Sequence, residues 1–358
     1  MIQDLQYYRA LGLRDIQIQA IEEHAQNQEE PARIIEEHKD SYTIISGNGS
    51  GRAFLSGKLR FELTAGNLPA TGDWVLTGSQ EPYIITELLP RFSKFSRKIP
   101  GKKTTEQIIA ANVDLIFLVM SLDNNFNLRR AERYLSLIQS GGADPVILLN
   151  KVDLLSREEA ENKLKDILTV TNVPVHLLSA ITGEGKDIIA SYLKKGITIA
   201  LTGSSGVGKS SIINALTSDH VQETGETRND DKGRHTTTSR KIFFLEQGCM
   251  LLDTPGMREL QLWDAEEGIS EVFSDILELA EHCKYSDCTH DQEPGCAVKK
   301  AMEEGNLSQD RYRSYHKLKS EASKQQSMLD ENFLIQKRKR EKAIHKEIKK
   351  MLKERGRR

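Results

Sequence analysis

No run of 18 apolar residues occurs anywhere in the 358-residue chain, which excludes an ordinary membrane-spanning helix. The opening residues Met1-Ile2-Gln3-Asp4 lack the basic-then-apolar texture of a leader, so a cytoplasmic location is expected. Cysteine is scarce, and four residues in so long a chain cannot make a disulfide scaffold. Three of the four fall between 283 and 296, a cluster that points to metal in a reducing compartment. No internal repeat is visible. Net charge is almost absent at −2, but the balance hides an asymmetry. From Asn306 to Arg358, 17 Lys/Arg stand against 7 Asp/Glu, about +10, which leaves about −12 on the remainder. A basic tail on an acidic body implies an anionic partner met mainly by the C-terminal part. What is present in quantity, 38% hydrophobic and 28% charged residues, describes a soluble globular protein with room for two or three domains.

Residues 1–32 read as a helical N-terminal extension ended by Pro31. From 33 to 97 the texture changes to short β-type runs such as Tyr42-Thr-Ile-Ile45, Asp73-Trp-Val-Leu-Thr77 and Tyr83 to Leu89, with a hairpin turn at Gly47–Gly51. Strands at that spacing predict a small five-stranded OB-fold barrel. Residues 98–107 read as a linker. Beyond it, apolar strands at 113–120, 145–149, 174–178, 197–201, 241–245 and 250–252 alternate with helices near 129–140, 157–170, 185–195 and 209–217. Buried strands separated by helices imply a mostly parallel sheet covered on both faces, here over 108–262.

That unit carries the chemistry. Gly203-Ser204-Ser205-Gly206-Val207-Gly208-Lys209-Ser210 follows a strand and opens a helix, with Ser211 next. Glycines let successive N–H groups turn toward phosphates, and the helix N-terminus adds its dipole. Lys209 is expected to reach the β- and γ-phosphates and Ser210 to bind Mg²⁺. Asp253-Thr-Pro-Gly256 ends a strand 44 residues after Lys209; Asp253 would hold the Mg²⁺ shell through water and the Gly256 N–H would sense the γ-phosphate. Asn150-Lys151-Val152-Asp153 ends another strand. A carboxylate at Asp153 accepts from both N1–H and the 2-amino group of guanine, which adenine cannot supply, so the wrong base leaves polar groups unpaired. Ser179-Ala180, after the next strand, fits a backbone contact to the guanine O6.

Between the phosphate loop and Asp253 lies a polar, Gly-rich stretch containing Gly233-Arg-His-Thr-Thr-Thr-Ser239, the expected switch. Thr236 or Thr237 would ligate Mg²⁺ only when the γ-phosphate is present. Met257 follows Gly256 where many GTPases place a water-orienting Gln. His235 is the candidate substitute, and an exposed loop histidine without a catalytic part is the plain alternative.

Cys283-x4-Cys288-x-His290-x5-Cys296 offers three thiolates and one imidazole within 14 residues, enough to fill a tetrahedral zinc site with no open position, so one structural zinc is expected. His282 is an alternative to His290. Cys249 reads as buried packing. These ligands belong to a helical metal-binding unit at 263–325. The basic tail at 326–358 places Ile344, Ile348, Met351 and Leu352 at helical spacing and suits an RNA-facing helix, a membrane-surface helix or a solvated helix, the first being favoured. Phe54, Phe61 and Trp74 are candidate stacking platforms on the barrel, against the plainer reading as core.

The base motif at 150–153 precedes the phosphate loop by 53 residues, the reverse of an ordinary GTPase. The order is a circular permutation, which leaves the sheet unchanged and lets the chain pass from the second switch, at Met257-Arg258-Glu259, into the cysteine cluster. With Ser56-Gly-Lys-Leu-Arg60, Gly72-Asp-Trp74, Asn112-Val-Asp114, the permuted motifs and the cysteines, the chain resembles the RsgA family of small subunit-dependent GTPases over nearly its whole length. The resemblance implies a multidomain α/β fold with an OB-fold, a permuted P-loop GTPase core and a zinc domain. It also implies GTP/GDP as ligands and action late in assembly of the 30S ribosomal subunit, on 16S rRNA, with hydrolysis stimulated by that subunit and driving release. No membrane partner is expected, and a monomer is. The competing reading is a zinc and OB-fold RNA-binding module for which GTP is a structural ligand; an ATPase is weaker still because Asn150 and Asp153 select guanine, and a permuted GTPase at a membrane because no apolar run is long enough to span one.

Overall fold

The computed structural model describes residues 4–24, 29–63, 67–98, 106–123, 125–218, 240–253, 266–290, 293–324 and 327. In the N-terminal half, strand β2 (Tyr42–Ser46) alternates buried and half-buried residues, and β5 (Tyr83–Leu88) alternates buried and exposed ones along its first half, as strands with one wet face do. They join β1 (Glu29–Glu37), β3 (Gly49–Leu55) and β4 (Trp74–Gly78) in a closed circuit β1-β2-β3-β5-β4-β1, parallel only between β3 and β5. This is OB-fold connectivity. Helix α3 (Gly57–Glu62) lies between β3 and β4, N-capped by Ser56, and Leu59 closes a core of Ala32, Ile34, Tyr42, Ile44, Ala53, Val75 and Ile85.

The N-terminus corrects one expectation. Helices α1 (Leu5–Ala10) and α2 (Asp15–His24) end before Pro31, which sits inside β1 and not at a helix end. Pro31 pairs with Leu76 of β4, and the ladder to β2 starts only at Ala32, so the missing N–H costs nothing on that side. The two helices cover the outer face of the barrel: Tyr8, Leu11, Leu13 and Ile21 pack with Trp74, Leu76 and Leu89. Trp74 is therefore 0% exposed, which bears out the plainer reading as core and leaves it no part in stacking. Phe61 is 77% exposed and Phe54 37%.

Strands β6 (Lys94–Lys98) and β7 (Glu106–Ala111) pair as an antiparallel ribbon with Lys98 opposite Glu106. The expected linker at 98–107 thus begins and ends in paired strand, and 99–105 lie outside the described residues. The ribbon leads into β8 (Leu115–Ser121), α4 (Leu128–Ser140), β9 (Asp144–Asn150), α5 (Arg157–Leu168), β10 (Val175–Leu177), α6 (Lys186–Tyr192), β11 (Thr198–Thr202), α7 (Lys209–Ser218), β12 (Lys241–Phe244) and β13 (Met250–Asp253). The order β10-β9-β8-β11-β13 is parallel throughout. Alternate residues of one strand serve two cores: Ile116, Leu118 and Met120 face one layer, Phe117 and Val119 the other. Strand β12 runs antiparallel to β13 and touches β1 at Glu36 opposite Lys241, so barrel and nucleotide unit share one eleven-stranded sheet.

Polar clamps hold the units together. Arg33 of β1 is fully buried; it donates to Gly72 O, Leu11 O, Asn112 O and Thr198 Oγ1 and lies over the Trp74 ring. Burial lowers its pKa to about 10, still high enough to keep the charge at neutral pH. Arg14 bonds Asp114 at 2.5 Å, and the other Asp114 oxygen accepts the Thr198 N–H at 2.8 Å.

The C-terminal unit comprises α8 (Glu266–Val272), α9 (Ser274–Glu281), α10 (Ala297–Glu303) and a helix over 309–324. It docks on α4, where Arg311 bridges buried Glu132 at 2.8 Å and Asp275 at 2.7 and 2.8 Å, and Arg133 pairs with Glu321. Among the described residues no helix is long and apolar enough to cross a membrane. The tail residues Ile344, Ile348, Met351 and Leu352 lie outside them.

Candidate nucleotide and metal sites

Five parallel strands deliver their C-terminal ends to one edge of the sheet, the usual place for ligands in such folds. Asn150 closes β9, Ser179 follows β10, Ser121 closes β8, Gly203 follows β11 and Asp253 closes β13. The base and phosphate motifs, reversed in sequence, meet here through Asn150, which is 2% exposed. Its Nδ2 donates to Val207 O at 2.8 Å, and its Oδ1 accepts the Ala180 N–H at 3.1 Å. One side chain so pins the phosphate loop and the Ser179-Ala180 turn together. Gly208 at φ +99° makes this possible: a Cβ there would lie 2.1 Å from Asn150 Nδ2. Gly203 at φ +136° is equally constrained, since a Cβ would lie 2.2 Å from Val119 O.

Lys151 takes a left-handed conformation, φ 69°, which turns the chain from strand into the 3-10 turn Val152–Leu154. Val152 is buried, and Asp153 is exposed. Ser179 is buried; its Oγ accepts from the N–H groups of Ile181 and Thr182, a turn that presents Ala180. In the phosphate loop Val207 packs into the core, Ser205 and Gly206 are exposed and Ser204 is partly covered. Lys209 folds over the loop, its ammonium 2.8 Å from Gly203 O and 2.6 Å from Ser204 O. Ser210 and Ser211 stand exposed in the first turn of α7. Strand β13, ending in Asp253, lies beside β11, which feeds the loop. His235, Thr236, Thr237 and Gly256 lie outside the described residues.

Two groups at this edge have no part in the sequence reading. Asp123, just after β8, accepts from Lys151 Nζ at 2.8 Å, Ser121 Oγ at 2.7 Å and the Asn125 N–H at 2.9 Å. The Lys151 hydrogen bond foremost, then the Ser121 hydroxyl and Asn125 amide, pull its pKa down to about 2. Arg130, in the first turn of α4, reaches Ser204 Oγ at 3.3 Å. The available signal was the run Asn127-Leu-Arg-Arg130 at a helix start, which normally prefers acids.

In the C-terminal unit one ligand atom each of Cys283, Cys288, His290 and Cys296 falls within 4.8 Å of all the others. Cys283 Sγ and Cys296 Sγ are 3.9 Å apart, and both lie 3.5 Å from His290 Nδ1. A tetrahedral zinc requires S···S of about 3.8 Å and S···N of about 3.6 Å from its usual bond lengths. The donor set and its spacing fit such an ion. His282 is not in the cluster, which removes the alternative ligand. His290 has φ 64°, its carbonyl accepts the Tyr312 hydroxyl at 3.0 Å, and Cys296 caps α10. Burial, then the charges of His316 and Lys319, lowers the His290 pKa, which keeps the imidazole neutral and its lone pair available. Cys249 is fully buried, its thiol pushed up to about 11 by burial.

The sequence and fold have close counterparts. A family model described as RsgA GTPase matches residues 88–263, and one described as 50S ribosome-binding GTPase matches 198–354. The second begins at the strand feeding the phosphate loop; the first includes the base motif upstream of it. A small ribosomal subunit biogenesis GTPase RsgA of Methanosarcina acetivorans is 45% identical over 299 residues, 81% of this chain and 79% of the relative. RsgA 1 of Oceanobacillus iheyensis is 42% identical over 326 residues, 89% and 92% of the two chains. Among solved structures, YjeQ from Thermotoga maritima superposes with TM-score 0.59 at 27% identity over 81% of this chain and 97% of that one. YloQ, titled a circularly permuted GTPase, gives TM-score 0.59 at 25% identity over 84% and 97%.

Proposed function

This chain belongs to the RsgA family of small ribosomal subunit biogenesis GTPases, and we propose on that premise that it times its own departure from the 30S subunit by hydrolysing GTP. The enzyme converts GTP and water to GDP and phosphate. The observation that carries the guanine reading is Asn150, whose single amide joins the turn at Ala180 to the phosphate loop at Val207. Asp153 would accept the guanine N1–H and 2-amino group beside it, and Ala180 would meet the O6. Residues 203–211 would cradle the phosphates, with Lys209 leaving its loop carbonyls for the β- and γ-phosphates.

Ser210, Asp253 through water and Thr236 or Thr237 would hold Mg²⁺, an oxygen donor set suited to that ion. When bound, it neutralises charge on the β- and γ-phosphate oxygens. With Met257 unable to orient water, His235 takes that task, and Gly256 senses the γ-phosphate. The Cys₃His cluster holds one structural zinc, since four protein ligands leave no position for chemistry.

The surface bound is 16S rRNA within the 30S particle. Phe54 and Phe61 support stacking on the barrel, and the basic residues of 326–358 supply phosphate contacts whose strength falls steeply with salt. A role in ribosome assembly supports a cytoplasmic location, and we propose a monomer. The units we assign are the extension to about 28, the barrel from Glu29 to 97, the nucleotide unit to 262, the zinc unit to 325 and the tail.

Purified 30S and 50S particles test the proposal. GTP turnover should rise saturably with 30S and not with 50S, and H235A should lose the stimulated rate while keeping GDP affinity. Tight GTP binding with no turnover at any 30S concentration would favour the module that holds GTP as a structural ligand.

A further inference from the structure

The first turn of α4 holds Arg129 and Arg130 and no acid. The positive end of a helix dipole disfavours cations, so the pair opposes the local rule. Arg129 is accounted for by its ion pair with buried Glu132. Arg130 has no such compensation. Among the described residues no carboxylate pairs with it, and its guanidinium meets neutral acceptors only, Asn125 Oδ1 at 3.0 Å and Ser204 Oγ at 3.3 Å. Its backbone is fixed by Asn127, whose side chain caps the Arg130 N–H at 3.0 Å.

Ser204 is also a residue that Lys209 touches, with Nζ 2.6 Å from the Ser204 carbonyl. Two cations, from α4 and α7, thus converge on the second residue of the phosphate loop. Like charges brought together repel, and the arrangement is relieved by an anion. Positions that break a local rule without a stabilising return are expected where function demands it.

We propose that Arg130 is a catalytic residue, a built-in arginine that leaves Ser204 Oγ to contact the terminal phosphate of bound GTP. This rests on the GTPase reading above. In the reaction a water oxygen bonds to the γ-phosphorus while the bond from that phosphorus to the β–γ bridging oxygen breaks. The bridging oxygen keeps the electron pair as GDP leaves, and the water proton ends on inorganic phosphate. Arg130 gains and loses no proton; it stabilises the charge growing on the oxygens. The same helix carries Glu132 and Arg133 against Arg311 and Glu321 of the metal unit, so a partner that grips that unit also acts on the backbone bearing Arg130.

The test compares wild type, R130A and R130K for GDP affinity, single-turnover hydrolysis with and without 30S, and retention of GDP with aluminium tetrafluoride, a transition-state mimic. R130A should bind GDP within about twofold of wild type, lose roughly 10³-fold in rate and fail to retain the fluoride complex. R130K should recover part of the rate, because lysine supplies a point charge without the fork. Hydrolysis by R130A within about threefold of wild type would overturn the assignment. So would GDP affinity falling in step with the rate, the signature of an arginine that merely props the loop through Ser204. A wild-type protein that does not hydrolyse GTP would instead sink the GTPase reading itself.

Discussion

Replacing Asn150 with Asp preserves the size of the side chain and reverses one half of its chemistry. The Oδ1 contact to the Ala180 N–H survives, because either carboxylate oxygen accepts. At Nδ2 a donor becomes an acceptor 2.8 Å from the Val207 carbonyl. The lost hydrogen bond is worth about 1 kcal/mol, and leaving a buried carbonyl unpaired adds about 1–3 kcal/mol. In the variant the free loop moves away to escape this cost of about 2–4 kcal/mol and binding must draw it back, which weakens affinity by roughly 30- to 700-fold at about 1.4 kcal/mol per decade. The loss enters through the phosphate loop, which lies under both nucleotides, so GDP and GTP should weaken alike. Equilibrium titration with fluorescent GDP and GTP analogues measures this, with a thermal melt of the free protein as a control on folding. N150D binding both nucleotides within threefold of wild type would refute the claim that Asn150 ties the loops together. A loss confined to GTP would refute it as well.

Three further expectations follow from the geometry. D153N should exchange guanine preference for xanthine, with GTP affinity falling at least about 100-fold and XTP affinity rising; competition titrations with GTP, XTP and ATP read this directly. Wild-type protein should contain one zinc per chain by metal analysis, and C296S, which removes a ligand and the cap of α10, should hold none and melt earlier in the C-terminal unit; full zinc occupancy in C296S would contradict the four-ligand site. The Asp123 carboxyl, depressed from 3.8 to about 2 with Lys151 as the main cause, stabilises the fold above about pH 4 and ceases to do so as pH falls through about 2. Acid-unfolding curves of wild type and D123N should therefore separate above pH 4, modestly because the pair is partly solvated, and merge near pH 2; a gap unchanged down to pH 2 would count against the pair.

The nucleotide unit was legible because its strands are continuous apolar runs and its functional groups sit where those runs stop. Asn150, Gly203 and Asp253 each end or follow such a run, so the edge of the sheet could be read from one dimension. The metal cluster was legible for a similar local reason: all four ligands lie within 14 residues. What escaped was long-range. Pro31 reads as a terminator, and only the pairing with β4 and the late start of the β2 ladder show why a strand tolerates it. Trp74 reads as core, but what covers it, α1 and α2 some 60 residues earlier, is not visible in its own stretch of chain. The contacts Arg130–Ser204 and Lys151–Asp123 span 74 and 28 residues and depend on how two loops happen to face each other, which no local pattern encodes.

Strand β12 has a consequence beyond architecture. It follows the stretch 219–239, and its start is bolted to the barrel: Arg240, just before it, reaches Glu37 at 2.7 Å, the Thr71 hydroxyl donates to the Arg240 carbonyl, and Lys241 faces Glu36. The stretch expected to respond to the γ-phosphate is therefore preceded by α7 and followed by a strand anchored to the barrel. A pull on the barrel is handed through β12 to its neighbour β13, whose last residue, Asp253, stands opposite Lys241 at the nucleotide edge.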